Sequence, residues 1–184
     1  MITRKKAEEL KERAYKMLQK AGIVITEEEY KNMEVVDHGL NEPEKYGVQI
    51  IVYVNNERYC AKEMVLIPGQ TVCEHKHPPI SRTNPGKQET FRCRYGEVYL
   101  YVPGIPAKNP KAKLPEDREK YFTVWNEIIL KPGQQYTIVP NTLHWFQAGK
   151  EGAIVSEFSS QSLDETDIFT DPDVKRITEI AEND

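Results

Sequence analysis

The chain has 184 residues, 29% of them charged and 39% hydrophobic, the size and balance of one soluble domain with a real core. A formal charge of −4 excludes the basic excess that a nucleic-acid face demands. No apolar run approaches a membrane span, and the start, with Arg4, Lys5 and Lys6 opening a charged helix, is unlike a signal peptide; the expectation is a cytoplasmic protein.

Residues 3–21 predict a helix, because Ala7, Leu10, Ala14, Met17, Leu18 and Ala21 recur at three- and four-residue spacing and Gly22 can end it. Thr26 and Glu29 form a capping-box pair that opens a second helix, running to about Met33. Residues 35–46 hold Gly39 and Pro43 and read as loop, with His38 a solvated loop histidine. From Val48 the pattern turns to β. Residues 48–54 and 58–67 read as a hairpin about Asn55-Asn56, since asparagine tolerates the positive φ of tight turns. Lys62 shares a row with Cys60, Met64 and Leu66; either its stem packs while its head reaches water, or the cation is aimed into a cavity.

Residues 78–88, with Pro78, Pro79, Pro85 and Gly86, form a loop. Residues 97–102 are a strand, 104–119 a long exposed and mobile loop, and 121–130 a strand. Lys131-Pro132-Gly133-Gln134 then echoes Ile67-Pro68-Gly69-Gln70, which suggests equivalent turns in two related halves. Residues 136–140, 143–148 and 153–159 are further strands, and the tail carries a short helix near Pro172 and a frayed end. Cys60, Cys73 and Cys93 are odd in number, lack CxxC spacing and sit in strands on the same face as the candidate site residues, so they read as reduced core thiols.

Short strands with peripheral helices imply an all-β fold, a closed barrel or jelly roll. Residues 1–46 form its helical segment, packed outside on the barrel or on a partner; 47–162 form the barrel and 163–184 the tail.

The chemistry gathers between Gly69 and Gly96. On a strand, residues two apart face the same way, so His75 and His77 present both imidazoles to one volume. Glu89 opens another strand on the face of Phe91, Cys93 and Tyr95, opposite Arg92 and Arg94. A carboxylate on an inward, apolar face needs a cation or a hydrogen-bonded partner. The pattern reads as a metal site.

These residues resemble the cupin superfamily. Its first motif runs glycine, five residues, His-x-His, a gap, glutamate, six residues, glycine; Gly69, His75, His77, Glu89 and Gly96 keep those offsets, with an insert in the gap. Its second motif ends in a histidine eleven positions after a glycine, as from Gly133 to His144. The Pro-x-Gly step of that motif is replaced by Pro140-Asn141-Thr142. The resemblance implies a cupin jelly-roll barrel with His75, His77, Glu89 and His144 as ligands of one divalent ion. Within cupins the chain resembles the D-lyxose isomerase family, on its helical N-terminal segment, the insert after His77, Lys-Gln-Glu-Thr-Phe at 87–91, Leu-His-Trp-Phe at 143–146 and the acidic 164–167 stretch. That resemblance implies a manganese-dependent aldose–ketose isomerase of free sugars, interconverting D-lyxose and D-xylulose and extending to D-mannose and D-fructose. It implies a small-molecule sugar as partner, and cupins commonly form homodimers.

Three imidazoles and a carboxylate leave two positions open on an octahedral ion, and the same donors suit cobalt, nickel, iron or zinc. Isomerisation also needs a base. Glu157 is the first candidate, although either face of 153–159 could be the inner one, and Lys62 is the candidate acid. Trp145 and Tyr101 are either core or a platform for sugar. Two other enzymes share this donor set: a cupin-type phosphoglucose isomerase, with Arg82 and Lys87 cradling phosphate, and an iron-dependent cupin dioxygenase. A sugar-binding or structural cupin is the non-enzymatic alternative.

Overall fold

The structure, a computed structural model, describes residues 1–181. Its elements in chain order are β1 (Ile2–Thr3), α1 (Arg4–Lys20), α2 (Glu27–Asn32), β2 (Glu34–Val36), β3 (Val48–Asn55), β4 (Cys60–Leu66), β5 (Thr71–Lys76), β6 (Glu89–Val102), β7 (Asn126–Leu130), β8 (Gln135–Ile138), β9 (His144–Ser159), β10 (Ile168–Phe169) and β11 (Ile180–Ala181). The fold is the expected all-β barrel with helices outside.

Two long antiparallel strands, β6 and β9, form its spine. On its other edge β9 pairs with β5 and then β4, and on its other edge β6 pairs with β8 and then β7. Beyond β4 the sheet continues through β3 to β2, and beyond β5 to β10. The concave face holds Ile50, Met64, Leu66, Phe91, Leu100, Phe146 and Val155 as the core. Leu66 and Leu100 are fully buried, and burying each contributes roughly 1.5–3 kcal/mol.

The convex face is covered by α1. Thr3 caps the helix by accepting from Lys6 N–H at 3.1 Å, and Ala14 and Leu18 pack on Ile51, Val65 and Ile154 of the sheet. The apolar stripe is thus consumed by the chain's own barrel. The capping box of α2 is also present: Glu29 N–H donates to Thr26 Oγ1, and Thr26 N–H donates to Glu29. Among the described residues no helix is long and apolar enough to cross a membrane.

The two Pro-Gly turns are equivalent in detail. Gly69 and Gly133 have φ of 75° and 88°, the left-handed third position of a type II turn. In each, the glutamine N–H donates to the first residue's carbonyl, and its side-chain oxygen accepts that residue's N–H at 3.0 and 2.9 Å. Where β6 crosses β9, Gly96 has φ 69°, and a Cβ there would lie 1.9 Å from the Gly152 carbonyl oxygen. Gly152 ends a short insertion at 149–152 that resets the alternation of β9. Residues 143–148 and 153–159, expected as two strands, are therefore one kinked strand.

Several other expectations are corrected. The hairpin turn spans Asn56 to Tyr59, because Asn56 Oδ1 accepts from Arg58 and Tyr59 N–H at 2.9 and 3.1 Å; neither Asn55 nor Asn56 has positive φ. The 104–119 loop is largely exposed, as expected, but is anchored to the sheet: Ala112 N–H donates to Tyr101 Oη and Lys113 N–H to Gln147 Oε1. The strand expected at 121–130 begins only at Asn126. No helix forms near Pro172. Asp171 Oδ1 accepts from Asp173 N–H, and Arg118 grips both carboxylates, so the proline serves a side-chain-closed turn. The end of the tail expected to fray falls at 182–184, outside the described residues. His38 is buried rather than solvated.

Candidate metal centre

The site begins with a break in alternation on β5. Val72 pairs with Phe146 and His75 with His144, three steps on β5 against two on β9. The extra residue is a β-bulge. Val72 and His75 both face inward, and Cys73 turns to the opposite side, among Tyr46, Tyr101 and Trp145. The expectation that Cys73 shares the histidines' face is thus corrected, while all three cysteines are buried free thiols. Beyond the bulge alternation resumes, so His77 follows His75 inward.

His144 stands directly across from His75, their ring centroids 4.3 Å apart, and His77 lies 5.0 and 5.3 Å from the two. The ligand-capable nitrogens of all three lie within 4.8 Å of one another. Glu89, first residue of β6, places Oε1 2.9 Å from His144 Nε2 and 3.3 Å from His77 Nε2. The three histidines expected as ligands thus cluster, with Glu89 Oε1 beside two of them.

Their outer contacts fix which atoms point there. His75 Nδ1 lies 2.8 Å from the Cys73 carbonyl, and His144 Nδ1 lies 2.9 Å from the Thr142 carbonyl. A carbonyl only accepts, so both Nδ1 atoms carry the proton and each Nε2 keeps its lone pair free. His77 Nδ1 lies 2.5 Å from Asp167 Oδ1, the carboxylate–histidine pairing common behind metal ligands. His77 Nε2, His144 Nε2 and Glu89 Oε1 are buried without a hydrogen-bond partner. Lone pairs gathered this way fit a divalent cation, and the cluster of three histidines could hold a metal ion.

The electrostatics express the same need. Burial, then the neighbouring His144 and His77, holds His75 well below the usual imidazole range. Burial opposes protonation of His77, but Glu89 and Asp167 outweigh it and carry the imidazole up to about 9. Burial would raise Glu89, yet Lys87 and then His77 hold it well below the carboxylate range.

The sequence offers Lys87 only as a phosphate contact. The structure puts its Nζ 2.6 Å from Glu89 Oε2 and 2.6 Å from Glu157 Oε1. It thereby ties the candidate ligand to the candidate base. Burial opposes its charge, but Glu157 and Glu89 outweigh that and hold it above the usual lysine range. Removing the cation from this buried trio leaves two facing carboxylates uncompensated. In the metal-free protein, Lys87→Met is expected to cost about 3–5 kcal/mol of unfolding free energy at neutral pH. Urea denaturation checks this, and a loss under 1 kcal/mol would show the two carboxylates to be separately satisfied.

The face of Glu157 is decided by the 149–152 insertion. Ala153 and Val155 join the inner core, Ile154 packs under α1, and Phe158 is 51% exposed, so Glu157 is inward. Lys62 pairs with it across β4 and β9, and both line the cavity that His75 and His77 also line. Lys62 Nζ donates to Ser162 Oγ at 3.0 Å and to Asp164 at 3.1 Å. Asp164 also binds Arg176. Burial would raise the Asp164 carboxyl, but Lys62 and then Arg176 hold it far below its usual range. Asp164, Asp167, Phe169 and Arg176 thus carry the C-terminal segment along the cavity wall. Trp145 and Tyr101 stack at 4.0 Å and 12° on the far side of the sheet, as core rather than platform.

Sequence reasoning missed Asp167 and His38 as parts of this cavity, and the pairing made by Lys87. Asp167 belonged to an acidic stretch with no spacing signal toward His77. Lys87, next to Glu89 in sequence, was the most findable.

The family model described as D-lyxose isomerase matches residues 107–184. A D-lyxose ketol-isomerase of Thermofilum sp. (strain ex4484_79) is 64% identical over 181 residues, covering 98% of this chain and 100% of that protein. A D-lyxose/D-mannose isomerase of Thermosediminibacter oceani is 62% identical, covering 99% of this chain and 100% of that protein. An L-ribose isomerase of Acinetobacter sp. DL28, solved in complex with L-ribose, superposes with a TM-score of 0.80 at 16% identity over 98% of both chains, a likeness of fold. With identity this high sustained from end to end, the chain belongs to the D-lyxose isomerase family.

Proposed function

We propose that the protein is a metal-dependent aldose–ketose isomerase that interconverts D-lyxose and D-xylulose, and D-mannose and D-fructose, through an enediol. The observation that carries this reading is the convergence of three imidazoles and Glu89, with Lys87 tying that group to Glu157 in one cavity. His75, His77, Glu89 and His144 would hold the ion, manganese by the family resemblance. Bound there, it supplies Lewis acidity toward neighbouring carbonyl and hydroxyl oxygens.

The protein's own groups handle the protons. Glu157 Oε1 is engaged by Lys87 and by Ser159 Oγ at 3.1 Å, while among the described residues none donates a hydrogen bond to Oε2. Oε2 is thus the free basic atom, and it takes the proton from C2. The C2–H electron pair becomes the C1=C2 bond, and the C1 carbonyl electrons move to O1. Lys62, across the strand pair from Glu157, gives O1 a proton and recovers one from O2 as the C2 carbonyl forms. Glu157 returns its proton to C1, and no net charge or atom is left behind.

A neutral sugar is favoured over a phosphorylated one. Arg82 is exposed in the insert, and Lys87 is committed to two carboxylates, so no phosphate cradle is built from them. The test is metal analysis of the purified protein followed by a screen of free aldoses with Mn²⁺. D-lyxose turnover with bound metal is expected. Far higher kcat/KM on a phosphorylated hexose, abolished by Arg82→Ala, would replace this reading with the phosphoglucose isomerase one.

A further inference from the structure

His38 takes no part in the chemistry above. It lies in the loop after β2 at φ 54°, left-handed backbone that a histidine seldom adopts. Its neighbours hold it there. Asp37 N–H donates to Thr178 Oγ1 at 2.9 Å, Asp37 Oδ1 accepts from Gly39 N–H at 2.8 Å, and the His38 carbonyl accepts from Lys175 N–H at 2.8 Å. Strain imposed from both sides is typical of functional positions. Its result here is an imidazole in the wall of the cavity that also holds the histidine cluster, only 2% exposed.

Both ring nitrogens are buried, and neither has a hydrogen-bond partner. An unpaired buried polar group costs about 1–3 kcal/mol, so such a ring in a cavity wall calls for an occupant of that cavity. Phe169 separates it from the metal centre, its ring centroid 5.7 Å from that of His38 and 5.4 Å from that of His75. Burial, with Arg176 nearby, pushes the imidazole down to about 3, which leaves it neutral. A neutral imidazole offers one donor and one acceptor, the complement of a hydroxyl rather than of a carboxylate or phosphate.

We infer that His38 binds a hydroxyl at the end of the open-chain aldose remote from the histidine cluster, and so sets which sugars the cavity accepts. This rests on the isomerase reading, with C1 and C2 beside Glu157 and the histidine cluster and the rest of the sugar extending along the cavity past Phe169.

The experiment compares Mn²⁺-loaded wild type with His38→Phe on D-lyxose, 4-deoxy-D-lyxose and 5-deoxy-D-lyxose. His38→Phe should raise KM for D-lyxose about tenfold, the loss of one hydrogen bond, with kcat little changed. With one of the deoxysugars the same substitution should leave KM unchanged. His38→Asn, which tolerates left-handed backbone but is too short to reach, should behave alike and covers the case in which the phenylalanine does not fold. An equal rise in KM on all three sugars, or a fall in kcat alone, would overturn the inference and make His38 structural. Calorimetric titration with D-arabinitol, the polyol carrying the hydroxyls of D-lyxose, gives a readout independent of turnover. If wild type isomerised no aldose, the isomerase reading would fall. Arabinitol binding weakened tenfold by His38→Phe would still support the assignment, and unweakened binding would overturn it.

Discussion

Replacing His77 or His144 with alanine is expected to abolish isomerisation and strip the metal while the barrel remains folded. The two imidazoles present buried, unpartnered Nε2 atoms to the same point as Glu89 Oε1. Removing an outer partner of a metal ligand typically costs roughly 10–100-fold in metal affinity, and removing a ligand should cost more. Asp167→Ala, which releases only the Nδ1 side of His77, is the internal standard for the smaller effect. Without metal the fold should tolerate the change, because the barrel core is built by other residues, Ile50, Met64, Leu66, Leu100 and Phe146 among them. The check is metal content after dialysis, together with melting temperature against Mn²⁺ concentration. Wild type gains about 2.7 kcal/mol when the ion is at a hundred times its Kd, and the variants should gain almost nothing at that concentration. Full metal occupancy and an undiminished Mn²⁺-dependent rise in Tm in both variants would remove these residues from the ligand set.

The second large effect is expected from Glu157→Gln. The amide keeps the shape of the side chain and its place on the inner face of β9, opposite Lys62, but no longer takes a proton. A positioned general base contributes typically 10²–10⁴-fold, so kcat should fall by about that factor with metal content unchanged. In deuterated water, wild type should place solvent deuterium at C1 of the ketose, and the variant should lose that exchange along with turnover. A fall of less than tenfold would take the base role from Glu157. Complete retention of the C2 hydrogen in the wild-type product would instead favour a direct hydride shift.

What was legible in the sequence was whatever depends on local period. The spacing of Leu10, Ala14 and Leu18 gave α1 its buried stripe, and Thr26 with Glu29 gave the cap of α2. The two-residue period brought His75 and His77 to one side, and Glu89 to the face of Phe91. The Ile67–Gln70 and Lys131–Gln134 turns were legible because a positive φ at the third position selects glycine.

Only the tertiary structure decided which face is inside, and what meets across it. A strand's period offers two faces without naming the inner one, and one inserted residue exchanges them. The bulge between Val72 and His75 did this to Cys73, and the 149–152 insertion settled Glu157. Loops carry no period at all. Lys87 between two carboxylates, Asp167 behind His77 and His38 in the cavity wall follow from chain segments far apart in sequence closing on one volume. There the cost of leaving buried charges and hydrogen-bonding groups unpaired, rather than any local preference, selects the partners.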